Sequence, residues 1–161
     1  MHARTKADGY RPLARWEWIA RIREALRLPI IANGEVWTVA DYRRICAATG
    51  CANVMLGRGA VADPLLARRI RDGGEESATE ADWEELKAMI TEFWMRVQAK
   101  VTPLQSPGRL KQWLGMMQRS YPQAGAVFRA IREARRAPEI SAGLEACGIR
   151  LDRPDASLCG R

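Results

Sequence analysis

Leu28-Pro29-Ile30-Ile31-Ala32-Asn33-Gly34-Glu35 is an apolar run that opens on a proline and breaks on Asn33-Gly34. Proline disfavours helix in the residue before it, and Asn-Gly marks a turn. An unbroken apolar run between two such signals reads as a strand over Leu28–Ala32, fully buried as in a parallel sheet. The pattern returns at Asn53-Val54-Met55-Leu56, a second strand followed at once by Gly57-Arg58-Gly59. Before the first strand, Trp16, Ile19, Ile22, Arg23 and Leu26 keep a helical period, with Arg15, Arg21 and Glu24 on the other face. Between the strands Thr38 caps a helix that runs to about Thr49, turns Val39, Tyr42, Ile45 and Cys46 inward, and stops at Gly50. Pro64 opens a short helix through Ile70, and Asp72-Gly73-Gly74 closes the segment. The order βαβα over residues 1–72 predicts a parallel sheet with helices on at least one face.

Residues 73–79 (Gly-Gly-Glu-Glu-Ser-Ala-Thr) form a polar linker, and Thr79 with Asp82 starts a capping box. Beyond it strand signals stop. A long helix is predicted over Glu80–Lys100, with Trp83, Leu86, Ile90, Phe93 and Val97 at three- and four-residue steps. Further helices follow over 108–120, 122–136 and 139–147, separated by prolines. Residues 80–150 therefore read as a helical bundle domain, and 151–161 as a disordered tail.

The composition is globular: 47% of the 161 residues are hydrophobic and 28% charged. No stretch approaches the ~20 apolar residues of a membrane span. No apolar leader follows Met1, so a cytoplasmic location is expected. Four cysteines and one His, without Cys-x-x-Cys, supply neither a disulfide framework nor a zinc site, and no metal is expected. The formal charge is +7, but it is concentrated. From Trp94 to Arg136 nine basic residues face one acid, Glu133, a local balance of +8. Solvated helix faces mix signs, so this window points to a polyanion. Arg129, Arg132 and Arg135 or Arg136 fall on one helical stripe. Arg109, Lys111 and Arg119 flank Trp113, which is either a platform for a base or part of its helix's core face with Leu110, Leu114 and Met117.

Ligands of parallel α/β folds bind at the carboxyl ends of strands. Here both strand ends carry glycine, Asn33-Gly34-Glu35 and Gly57-Arg58-Gly59. Glycine lets backbone amides approach a phosphate, and a neighbouring Arg completes a dianion site. Two consecutive loops of this kind fit the phosphate site after strands 7 and 8 of a (β/α)8 barrel.

Four motifs occur together: His2-Ala3-Arg4-Thr5, Ile30-Ile31-Ala32-Asn33-Gly34-Glu35, Val54-Met55-Leu56-Gly57-Arg58-Gly59-Ala60 and Arg109-Leu110-Lys111-Gln112-Trp113-Leu114. In this order and spacing the sequence resembles the flavin-dependent tRNA-dihydrouridine synthases, and among them the bacterial class C enzymes that act on uridine 16. The likeness runs from the first residue to about Ile149. It implies the C-terminal part of an FMN-binding TIM barrel (residues 1–72) followed by a helical tRNA-binding domain (80–150). By this likeness Asn33, Gly34, Glu35, Gly57 and Arg58 would hold the phosphate and ribityl region of FMN, and His2 would lie near the flavin. Arg109, Lys111, Arg119 and Trp113 would contact tRNA. NADPH is the implied reductant, the uracil C5–C6 double bond the implied target, and a monomer the implied complete form. The family's acid cysteine lies in an Asn-x-Gly-Cys-Pro motif that this sequence lacks. Cys51 precedes a strand, which puts it at the stability end of a barrel, and Cys46 reads as core. The chain is therefore expected to be a C-terminal portion, inactive alone, with residues 1–72 poorly stable by themselves. Met1 stands where the family carries an aliphatic residue, often Val, before the His, as a valine codon read as an initiator would give. The other readings are a standalone tRNA- or RNA-binding module, or a different phosphate-binding barrel fragment with an unrelated helical appendage. The Arg109–Leu114 motif and the basic window speak against the last.

Overall fold

The structure is a computed structural model that describes residues 1–2, 14–73 and 78–151. The expected disordered tail falls, except for residue 151, outside the described residues. The chain forms two compact units, Met1–Ser77 and Ala78–Arg161.

In the first unit the elements are α1 (Trp16–Ala25), β1 (Ile31–Asn33), α2 (Val39–Thr49), β2 (Asn53–Met55), α3 (Arg58–Ala62) and α4 (Leu66–Asp72). The strands pair in parallel, Ile31 with Asn53, Ala32 with Val54 and Asn33 with Met55. His2 adds a parallel bridge to Asn33, whose amide donates to the Met1 carbonyl at 2.8 Å. Thr38 caps α2 reciprocally with Asp41, and Gly50, at φ 64, ends it in the left-handed conformation. A core of Ile19, Ala32, Val36, Ile45 and Cys51 lies between the sheet and its helices.

Two strand expectations are corrected. β1 begins at Ile31 rather than Leu28, and its burial alternates instead of being complete. Ala32 is fully buried, while Ile31 is 54% and Met55 56% exposed. An apolar run does not say how many of a strand's faces are covered. Here α1 and α2 cover one, and among the described residues nothing covers the other. The sequence reading also missed α3, a five-residue helix with no side-chain cap. Pro64 lies in the turn after α3, so α4 starts two residues later than the proline suggested.

The second unit contains α5 (Glu80–Lys100), α6 (Ser106–Met117), α7 (Pro122–Ile131) and α8 (Ala137–Ala146). Trp83, Leu86, Ile90 and Val97 of α5 are buried, as their spacing predicts; Phe93 is only half-buried, and its neighbour Trp94, outside the expected set, is buried in its place. Leu110, Leu114 and Met117 of α6, Val127 and Ile131 of α7, and Ile140 and Leu144 of α8 are buried as well. Buried polar groups are satisfied: Trp94 Nε1 donates to Ser141 Oγ at 3.0 Å and Thr91 Oγ1 to the Arg150 carbonyl at 2.6 Å. Pro107 and Pro138 lie inside the first turns of α6 and α8 rather than before them. A first-turn proline loses no helical hydrogen bond, because its N–H would have had no helical partner.

The α7 boundary is the larger correction. The helix ends at Ile131, not residue 136, so Arg132, Arg135 and Arg136 leave the helical stripe predicted with Arg129. Tertiary contacts from α6 and α8, described below, hold the chain in a corner there.

Candidate functional site

At the carboxyl end of β1 the chain turns through Gly34 (φ 145) and Glu35 (φ 57), the one non-glycine with positive φ among the described residues. A left-handed residue with a Cβ costs about 1–2 kcal/mol. Its side chain is held on both oxygens: Trp37 Nε1 donates to Oε2 at 2.9 Å and Arg58 Nη2 to Oε1 at 3.2 Å. The Gly34 carbonyl accepts from Trp16 Nε1 at 3.0 Å, tying the turn to α1.

The turn after β2 meets it. Gly57 has φ 57, and a Cβ added there would lie 3.8 Å from Asn33 Oδ1. A Cβ on Gly59 would lie 1.9 Å from the Val36 carbonyl oxygen, so the α3 backbone reaches the β1 loop only because residue 59 is glycine. The Arg58 guanidinium lies 5.2 Å from the centre of the Trp37 ring, and its side chain is 48% exposed. The bridge at Asn33 places His2 at this same end of the sheet. Asn33, Gly34, Glu35, Gly57, Arg58 and His2 are thus brought together.

The arrangement offers an exposed guanidinium, the Asn33 amide and two turns of backbone close enough for a small anion. These groups fit the phosphate end of a cofactor. Glu35 repels phosphate and already neutralises Arg58, so its suitable partners are hydroxyl groups and the guanidinium it orients. Trp37 and Trp16 were not picked out from the sequence as site residues. Trp37 stands in the same loop as Glu35, which is the one signal that would have found it. Cys51 is buried at the opposite end of β2, its Sγ 3.9 Å from the Thr49 carbonyl oxygen. Cys46 is only half-buried. Among the described residues no three His, Cys, Asp or Glu side chains group as metal ligands, and no helix is long and apolar enough to cross a membrane.

In the second unit the four candidate residues are divided. Arg109 and Trp113 are one helical turn apart on α6. Lys111 lies about 200° around the axis from Arg109, on the other side of the Leu110–Leu114 core stripe. Trp113 is half-buried, its ring centre 4.6 Å from that of Phe93, so it serves the packing while keeping an exposed edge. Arg119 is exposed in the turn after α6. Lys111 Nζ donates to the carbonyls of Arg132 (2.7 Å) and Ala134 (2.5 Å). The basic window is also less one-sided in space than in sequence. Arg96 pairs with Glu92, Arg132 with Glu133 and Arg136 with Glu139, and Glu92 and Glu139 lie just outside the counted span.

Comparison with known proteins adds a second line. Over 133 residues the chain is 49% identical to a tRNA-dihydrouridine(16) synthase of Pseudomonas syringae pv. tomato, covering 82% of this chain and 42% of that protein. It is 42% identical over 156 residues to the protein of the same name from Ralstonia nicotianae, covering 97% and 48%. A Neisseria meningitidis protein of that name is 43% identical over 144 residues, covering 87% and 43%. The chain spans less than half the length of these relatives. Residues 1–141, which include the strand-end turns and the helices through α7, match the dihydrouridine synthase family, and the chain belongs to it.

Proposed function

We propose that this chain supplies the cofactor-phosphate cradle and a tRNA-contacting helical unit of a tRNA-dihydrouridine synthase acting on a D-loop uridine, uridine 16 by the names of its relatives. The observation that carries the reading is the meeting of the Asn33–Glu35 and Gly57–Arg58 turns at one end of a parallel sheet. FMN, when bound, supplies the hydride that reduces the uracil C5–C6 double bond, with NADPH as the source of electrons. The chain's own residues bind and orient. Arg58 and the Gly34 and Gly57 backbone hold the phosphate, Asn33 and Glu35 offer acceptors to the ribityl hydroxyls, and His2 lies beside them. The sequence has no Asn-x-Gly-Cys-Pro motif, so no residue here is assigned the proton donor. This half corresponds to the C-terminal part of the barrel and its helical appendage.

A chimera tests the reading. Residues 1–141 replace the matching segment of the Pseudomonas syringae relative, and dihydrouridine in tRNA is measured. The chimera is expected to be active and to lose FMN and activity with Arg58→Ala. A folded chimera that forms no dihydrouridine refutes the assignment. For the helical unit, Arg109→Glu should weaken tRNA binding by the 161-residue chain and flatten its salt dependence. Lys87→Gln, which removes a lysine already paired with Glu84 at 2.7 Å, should do neither.

A further inference from the structure

Trp37 stands between the strand-end turns and the start of α2, and both sides hold it. Its backbone N–H donates to Asp41 Oδ2 at 3.0 Å, the oxygen that also takes the Thr38 amide at 3.0 Å in the capping box of α2. Its indole Nε1 donates to Glu35 Oε2 at 2.9 Å, and the Arg58 guanidinium carbon lies 5.2 Å from the centre of its ring. Arg58 Nη2 meets the other oxygen of the same carboxylate, Oε1, at 3.2 Å. That is longer than the about 2.7–2.9 Å of a tight charge-assisted bond. An arginine beside a carboxylate frequently closes a fork of two parallel bonds, one to each oxygen. Here the indole takes Oε2. Trp37, Glu35 and Arg58 therefore form a triangle in which the tryptophan touches both charged groups.

We infer that Trp37 is a positioning residue of the cofactor-phosphate cradle: its indole N–H keeps Glu35 from closing a fork on Arg58, and its ring face aims the guanidinium at the incoming phosphate. The inference rests on the cradle reading above and adds what governs the strength of the Arg58 contact. A full fork would have to open before a phosphate oxygen could replace the carboxylate. A neutral donor on Oε2 weakens the fork in advance without adding a competing charge. The ring acts differently. A cation is attracted to an indole face more strongly than to that of Phe, and the attraction uses none of the guanidinium's N–H donors. The Asp41 contact fixes the Trp37 backbone to the first turn of α2, so the alignment exists before a ligand arrives and its ordering cost is not charged to binding. Both roles require an indole, because phenylalanine has the ring without the donor and leucine has neither.

The experiment uses the whole 161-residue chain, isotope-labelled for NMR, and two probes that differ only by the phosphate, FMN and riboflavin. Wild type should bind FMN more tightly than riboflavin. Trp37→Phe should weaken FMN by about three- to tenfold, the scale of coupling between side chains in contact, and leave riboflavin unchanged. With Glu35→Gln, where no carboxylate is present to close the fork, Trp37→Phe should change FMN binding by less than about twofold. Trp37→Leu, which removes the ring as well, should weaken FMN further whether or not Glu35 is substituted. A second readout is taken on the wild type, with Trp37→Phe serving only to identify the indole signal. Inorganic phosphate should shift the Trp37 indole N–H and the Arg58 Nε–H resonances along one binding curve. An Arg58 signal that follows phosphate while the Trp37 indole stays still overturns the inference. So do equal effects of Trp37→Phe on FMN and riboflavin, which would make the indole a packing residue only, and equal effects with and without Glu35→Gln. A wild-type chain that does not prefer FMN to riboflavin refutes the cradle reading itself, and the inference falls with it.

Discussion

Replacing Gly59 by alanine should unfold the first unit and leave the second untouched. The added Cβ would lie 1.9 Å from the Val36 carbonyl oxygen and 3.3 Å from Leu66 Cδ2. Carbon–oxygen contacts ordinarily begin near 3.3 Å, so the overlap is on the order of 1.4 Å. The leucine can rotate, but the carbonyl is backbone and moves only with the loop that carries Glu35 and Trp37. Overpacking that displaces backbone belongs to the upper range of core damage, about 3–5 kcal/mol. For a unit of this size each kcal/mol shifts Tm by about 4–8 °C, so a loss of roughly 12 °C or more is expected. Hydrogen exchange read separately on α2 and α5 distinguishes the units: α2 should lose protection and α5 keep it. Gly108→Ala is the matched control, because nothing lies within 4 Å of its added Cβ and it stands in α6. It should stabilise the second unit by about 0.5 kcal/mol. A Gly59→Ala protein that melts with wild type would refute the claim that close approach at this glycine joins the two strand-end turns.

Other outcomes follow from particular contacts. The Arg135 amide, the Arg136 guanidinium and the Arg136 amide hold Glu139 at about 2, down from 4.5. A depressed carboxyl stabilises the fold fully above its unfolded value and loses that contribution as pH falls toward the folded value. Thermal melts of wild type and Glu139→Gln should therefore differ at pH 6 and converge between about pH 4.5 and 2; a gap independent of pH would contradict the assignment. Asp63→Ala leaves the buried Arg69 guanidinium without its carboxylate and should cost about 3–5 kcal/mol, read by denaturant unfolding of the first unit. Thr79→Ala removes one half of the α5 capping box and should cost about 1 kcal/mol in the second unit. The 161-residue chain alone, given FMN, NADPH and tRNA, should form no dihydrouridine, and should bind FMN too weakly to carry it through desalting.

Local chemistry made much of this architecture legible. Thr38 and Thr79 announced their helices because a capping box is a contact between residues three apart. Gly50 announced an ending for the same reason. The strand-end glycines announced the two turns because φ is a property of one residue. What was not legible depended on partners distant in sequence. The end of α7 is set by Lys111 and Glu139, on two other helices, and nothing within residues 122–136 encodes a stop. The exposure of Ile31 and Met55 depends on what covers the sheet, which an apolar run cannot state. The +8 window overstates the local charge for a related reason, since Glu92 and Glu139 pair into it from just beyond its edges.

The Glu35 carboxylate also bears on selectivity. Any anion entering beside Gly57 meets an arginine that already has a counter-ion, so only the difference between the newcomer and Glu35 counts toward binding. A monovalent anion such as chloride or acetate merely exchanges one negative charge for another and gains little. A phosphate monoester brings nearly two charges and three acceptor oxygens, enough to engage the guanidinium and the turn amides together. In the proposed cradle the resident carboxylate sets a threshold that a phosphate can exceed and a weak monovalent anion cannot. The same pair keeps the guanidinium aimed over the Trp37 ring, so the threshold and the alignment come from one side chain.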